Sequence, residues 1–270
     1  MKRIPIALMV LTIFLNICWT LVESPARDAL TVMGVSTFAL ASASHARTFL
    51  TDRSFFQLVA IVLATSLVAE LIGVHTAAIF GHYSYSDRLG LMLWQVPIII
   101  PFAWFMMFYP SLHIGWALSP NNRFVSAAIT AWTMASWDLY LDPQMVNEGY
   151  WVWFDSQGLP TLTIPYSNFV GWFLVSLFIA LAIEIALAIE DVSRPTSAST
   201  RRNVTSSTLS RTELAFPVLA ISWVWLGSFL VNIVPMAPFL DQPQVAIQGL
   251  CGMGVFALAW LVKSVKAMRQ

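Results

Sequence analysis

Asp138 and Asp142 stand four residues apart in the stretch SWDLYLDP, residues 136–143. They share a face if that stretch is helical. Both lie at the edge of an apolar run, where an acid is expensive and a functional role is the default hypothesis. Glu70 and Glu184 also sit within apolar runs, and Asn168 opens another. Around several of these positions the sequence is crowded with Trp and Tyr. The chemistry this set allows is carboxylate acid–base catalysis in an aromatic, apolar pocket.

Such a pocket needs elements to hold it, and composition says what they are. The chain has 270 residues, 58% hydrophobic and 10% charged, with zero formal net charge. That is too apolar for an ordinary soluble domain, and the charge balance gives no reason to expect a nucleic-acid partner. Eight apolar spans are predicted, at about 4–22, 29–46, 55–74, 91–118, 124–141, 168–190, 215–233 and 245–262. With a cytoplasmic N-terminus, the inner segments hold Lys2, Arg3, Arg47, Arg53, Arg123, Arg194, Arg201, Arg202, Arg211, Lys263, Lys266 and Arg269, and the outer loops only Arg27 and Arg88. That asymmetry is the positive-inside pattern. The expected fold is therefore all-α: a polytopic integral-membrane helical bundle of about eight transmembrane helices, both termini cytoplasmic, in the cell membrane. Residues 1–270 read as one domain, with a Ser/Thr/Arg-rich cytoplasmic linker at about 191–214 that is expected to be mobile. Cleavage of the first span as a signal peptide near Ser24-Pro25-Ala26 is the alternative at the N-terminus.

Depth along these spans sorts the acids. Glu70 falls about 6 Å below the outer end of the third span. Asp142 falls at the outer rim of the fifth, with Asp138 one turn deeper, and Pro143 is expected to end that helix. Asn168 opens the sixth span, which carries Glu184 about 24 Å further, near the inner face. Glu70, Asp138, Asp142 and Asn168 can thus share one shallow outer layer. Glu184 reads as a carboxylate reaching toward the inner headgroups. Trp137 and Trp172 are the aromatic site candidates, each close to a polar residue of the layer. Tyr150, Trp151 and Trp153 read as interfacial belt or loop residues. Four scattered histidines and two cysteines, Cys18 and Cys251, give no metal-site spacing. His75 and His82 flanking an outer hairpin, with Glu70, are the one metal alternative. No phosphate-binding glycine loop or nucleophile elbow is present.

The stretches ELIGVHTAAIFGHYSYSDRLG (70–90), VPIIIPFAWFMMFY (96–109), WDLYLDPQMVNEGYWVW (137–153) and IPYSNFVGW (164–172) resemble the carotenoid 1,2-hydratases of the CruF type. The resemblance covers about residues 66–190 and departs from the pattern at Ala77, Gln95 and Thr161–Thr163. It implies an integral-membrane hydro-lyase of carotenoid biosynthesis. The enzyme would add water to the terminal 1,2 double bond of an acyclic carotenoid and give a tertiary alcohol, with no cofactor and no metal. Its expected partners are the long polyene, water, membrane lipid and other enzymes of the pathway. The implied catalytic residues are Asp138, Asp142 and Glu70. The substrate-binding set is Trp137, Trp172, Asn168, Tyr83, Tyr85 and Trp104. In that reading one aspartate protonates the alkene, and the deeper Asp138 is the favoured donor. Indole faces then steady the tertiary cation, while Glu70 and Asn168 orient the water.

Two other functions use the same residues. An integral-membrane carotenoid cyclase would begin with the same protonation and let a second double bond capture the cation. A proton-coupled transporter would use Asp138 and Glu70 as a relay, but the sequence has no repeat relating its halves.

Overall fold

The computed structural model describes residues 3–154, 164–193, 211–234 and 242–269. Eight helices account for nearly all of them. They are α1 (Ile4–Trp19), α2 (Ala26–Phe49), α3 (Asp52–Thr76), α4 (Ile99–Leu118), α5 (Arg123–Asn147), α6 (Tyr166–Ser193), α7 and α8 (Pro243–Arg269). Helix α7 is composite: Arg211–Ser222, a π-helical turn at Trp223–Gly227, then Ser228–Ile233. Polar caps start two of them, with the Thr51 hydroxyl accepting from Ser54 N and the Asn122 side chain from Val125 N, each at 3.1 Å. Each cap satisfies an amide that the helix start would otherwise leave unpaired. The chain is an all-α membrane bundle, and α2, α3, α6, α7 and α8 are long and apolar enough to cross a bilayer by length and composition.

Helix α4 is the post around which the others stand. It packs against α2, α3, α5, α7 and α8, and every residue from Trp104 to Trp116 is buried. Helix α5 adds α6 and α8, and α3 closes back on α6. Facing protein instead of lipid, α4 carries Ser111 and His113 in its interior, and it is not among those five helices. Glycine permits the tightest approach. A Cβ on Gly115 of α4 would meet the Ser126 carbonyl and the Thr130 hydroxyl of α5 well inside van der Waals contact.

Three expectations change. The predicted 91–118 span is two structures: its first residues form an antiparallel hairpin, β2 (Met92–Leu93) with β3 (Val96–Pro97), and the helix starts at Ile99. Trp94 and Gln95 at the turn have φ of 45° and 69°, a left-handed pair that turns the chain back and cannot continue a helix. Pro143 does not end α5, which runs to Asn147. Proline removes one internal amide bond, and contacts at the end of the helix, described below, hold it in place. The linker is shorter than expected, because α6 reaches Ser193 and α7 begins at Arg211. Its remainder, with Thr161–Thr163, lies outside the described residues.

The connections group by end. Arg27 and Asp28 at the start of α2, the 3-10 turn Asp87–Leu89 and Glu148 after α5 meet one another at one end. Glu190, Thr51, Ser54 and the Lys263–Ala117 contact lie at the other. Reporters placed in the Trp94–Gln95 turn and after Gln270 should therefore report opposite sides of the membrane, the C-terminal one cytoplasmic. Reporters on the same side would dismantle the eight-span topology.

Candidate active site

Between the outer halves of α2 to α6 lies a cavity with about 60 Å³ of free space. Its walls carry Glu70, Asp142 and Asn168 among Phe80, Tyr83, Tyr85, Trp104, Trp151, Trp153 and Trp172. Three of the four residues expected in one layer, Glu70, Asp142 and Asn168, thus line one cavity.

Asn168 joins the two aspartates. Its Nδ2 donates to Asp138 Oδ2 at 2.7 Å and also to Asp142 Oδ2. The remaining Asp142 oxygen accepts from Trp151 Nε1 at 3.1 Å, while Asp138 Oδ1 meets no partner among the described residues. Both aspartates are buried, Asp142 at 2% exposure. It is therefore not at a frayed helix end, as expected from Pro143. The cavity wall carries Asp142, with Asp138 behind it.

Glu70 has a different surrounding. Oε2 accepts from the Tyr83 hydroxyl at 2.6 Å and the Tyr85 hydroxyl at 2.8 Å, and Oε1 from Trp104 Nε1 at 3.0 Å. Three donors aimed at one carboxyl suit a fixed anion. Burial and the Glu70 charge push the Tyr83 and Tyr85 hydroxyls above the ordinary phenol range, so both remain donors. The tyrosines reach this position because β1 (Tyr83–Tyr85) pairs antiparallel with β4 (Trp151–Trp153). That ribbon forms a cover over the cavity. Tyr83 stacks on Trp153, with ring centroids 5.7 Å apart. Deeper, Trp104 and Trp172 stack nearly parallel at 3.9 Å, and Trp137 meets Trp172 edge-on at 5.9 Å.

Tyr83, Tyr85, Trp104, Asn168 and Trp172 all line the cavity with Glu70 and Asp142, whereas Trp137 supports Trp172 from behind. Trp151 and Trp153, expected in the belt, are cavity walls, and Tyr150 is fully buried. The signal that could have found Trp151 and Trp153 is alternation: YSY and WVW each place aromatics on one strand face. His75 Nδ1 lies 2.9 Å from the Leu71 carbonyl oxygen and His82 packs on Phe154; neither lines the cavity. Glu184 does not reach for headgroups. It is buried at 2% exposure, accepts from Trp116 Nε1 at 3.1 Å and faces Arg123 at 3.9 Å. These partners draw it into the bundle.

A polar clasp joins the start of α2, the Asp87–Leu89 turn and the end of α5. Arg27 Nη1 lies 2.8 Å from both Glu148 oxygens. Arg88 Nη2 donates to Asp28 Oδ1 at 2.6 Å, and Arg88 Nη1 donates to the Glu148 carbonyl. Tyr150 donates to Asp28 at 3.0 Å and lies 2.9 Å from the Thr31 hydroxyl, under the Arg88 guanidinium. The Arg27–Glu148 pair is 12% and 7% exposed. Arg27→Ala should therefore lower stability by about 3 kcal/mol, because it strands a buried carboxylate. Thermal unfolding in detergent checks this, and a loss under ~0.5 kcal/mol would place the pair with ordinary surface bridges.

Over 130 residues the chain is 32% identical to bisanhydrobacterioruberin hydratase of Haloarcula japonica, an alignment covering 45% of this chain and 42% of that protein. The alignment thus spans less than half of that relative. No solved structure matches. A sequence profile described as "Carotenoid biosynthesis protein" matches residues 28–237, from the clasp residue Asp28 past the end of α7, and by that match the chain belongs to the carotenoid biosynthesis protein family.

Proposed function

We propose that the protein hydrates the terminal 1,2 double bond of an acyclic carotenoid end group in the cell membrane, as a hydro-lyase that uses no cofactor. The observation that carries this reading is the convergence of Asp142, Asn168 and Glu70 on one aromatic-walled cavity. The hydratase named above, similar over part of its length, supports it.

The residues suggest how. Asn168 holds the two aspartates as one unit, and two carboxyls so close resist double ionisation, so the pair keeps one proton. Asp142 delivers it, because Asp142 is the member on the cavity wall. This departs from the expectation that Asp138, being deeper, is the donor. Asp138 holds the proton between turnovers, when its unpartnered Oδ1 would otherwise carry charge with no donor. The proton adds to the CH carbon of the terminal alkene, the π pair forms the new C–H bond, and the positive charge falls on the carbon bearing two methyl groups. The faces of Trp172 and Trp153 and the Glu70 anion stabilise that cation. None of them is a free nucleophile, since both Glu70 oxygens are occupied by donors. Water held by the tyrosine oxygens adds to the cation, and its surplus proton returns to the aspartate pair. Alkene and water are consumed, one alcohol forms, and the carboxyls are regenerated.

Expression in a host that makes an acyclic carotenoid tests the reading. The expected product is heavier than its precursor by one water for each end processed. A product of unchanged mass, as cyclisation would give, overturns it.

A further inference from the structure

One face of α4 runs through Ile98, Phe102, Met106, Tyr109 and His113, spaced at four, four, three and four residues. Its inner half is sealed. Met106, Tyr109 and His113 are 8%, 0% and 3% exposed. Helix α2 covers them: the Ser42 hydroxyl donates to the Met106 carbonyl at 2.7 Å, and His45 Nδ1 lies 2.8 Å from the Tyr109 hydroxyl. The outer half of the same face is open, with Phe102 41% and Ile98 44% exposed. Helix α2 therefore covers the inner half of this face and leaves its outer half uncovered. Val35 of α2 and Ile99 and Ala103 of α4 line the cavity beside this gap, and all three are only half-buried, whereas Glu70, Trp104, Asn168 and Trp172 are buried. At the same end of the bundle the Arg27–Glu148 and Arg88–Asp28 pairs tie α2 to the end of α5 and to the Asp87–Leu89 turn.

From this we infer that the gap between the outer halves of α2 and α4 is a lateral window. The polyene chain of the substrate lies in it, entering from the bilayer and leaving only the end group inside. The inference rests on the proposed function for the identity of its occupant. Size argues the same way. The cavity encloses only about 60 Å³ of free space, and an extended polyene of tens of carbons is far longer than such a site. The side chains named at the gap, Val35, Ile98, Ile99, Phe102 and Ala103, are apolar, so the chain stays in surroundings like the lipid it came from.

Photocrosslinking locates the chain directly. Phe102→p-benzoylphenylalanine protein, in membranes carrying an acyclic carotenoid, should yield pigment-bearing adducts at least five times more often than Val170→p-benzoylphenylalanine. Val170 is a lipid-exposed control on α6. Product mass is followed in the same samples. Hydration with no excess of adduct at Phe102 removes the window and leaves the proposed function standing. A strong Phe102 adduct without hydration keeps the window and removes the hydratase reading. Excess adduct together with hydration supports both.

Discussion

Asp142→Asn is expected to abolish carotenoid hydration, with a loss of about 10²–10⁴-fold, the range contributed by a positioned general acid. Asparagine has nearly the same shape and keeps an oxygen for the Trp151 indole, at the cost of the bond from Asn168 Nδ2, but it carries no acidic proton. The variant should therefore insert and fold while the alkene goes unprotonated. Asp138→Asn should also impair turnover, but less, because Asp138 acts through its neighbour and not at the cavity wall. The ranking is what discriminates. Alcohol formation at matched membrane expression would give the donor role to Asp138 if Asp138→Asn were the more damaging. Glu184→Gln, altering a carboxyl bound to Trp116 at the far end of α6, should leave the chemistry unchanged, and a large loss there would place the catalytic acid elsewhere.

Gly115→Val should damage the fold more than any substitution in the cavity wall. The new side chain would collide with the backbone carbonyl of Ser126, which cannot rotate away, and with the Thr130 hydroxyl. Overpacking of a tight core costs about 1–3 kcal/mol, and a backbone clash at the contact of the two central helices belongs at the upper end. Reduced folded yield and a lower detergent unfolding temperature are the expected result. Wild-type stability would mean that α4 and α5 can move apart freely, contrary to the buried stretch from Trp104 to Trp116.

The range of the forces involved decides which parts of this architecture the amino-acid sequence reveals. Eight helices declare themselves because each must place enough apolar side chains in sequence to cross or line a bilayer. The layer joining Glu70, Asp142 and Asn168 follows from rise per residue alone. The hairpin at 92–97 is hidden because Leu91, Met92 and Leu93 are as apolar as a span, and only the left-handed pair Trp94–Gln95 sets them apart. Trp151 and Trp153 resemble a belt because their place is fixed by pairing with Tyr83–Tyr85, more than sixty residues away in sequence. Arg27 and Arg88 read in sequence only as charges that orient the chain, although each binds a carboxylate over the site. Local pattern reports local structure, and these are long-range contacts.

The central position of α4 and α5 has a consequence for how the protein is made. Neither is among the helices apolar enough to cross a membrane by composition, and α5 carries two acids, each opposing insertion by up to about 3 kcal/mol. Such a helix is poorly retained by lipid alone. Asn168, the partner that accommodates both acids, is synthesised after them. Stable insertion of α5 is therefore expected to depend on α6, which brings Asn168 to the two aspartates.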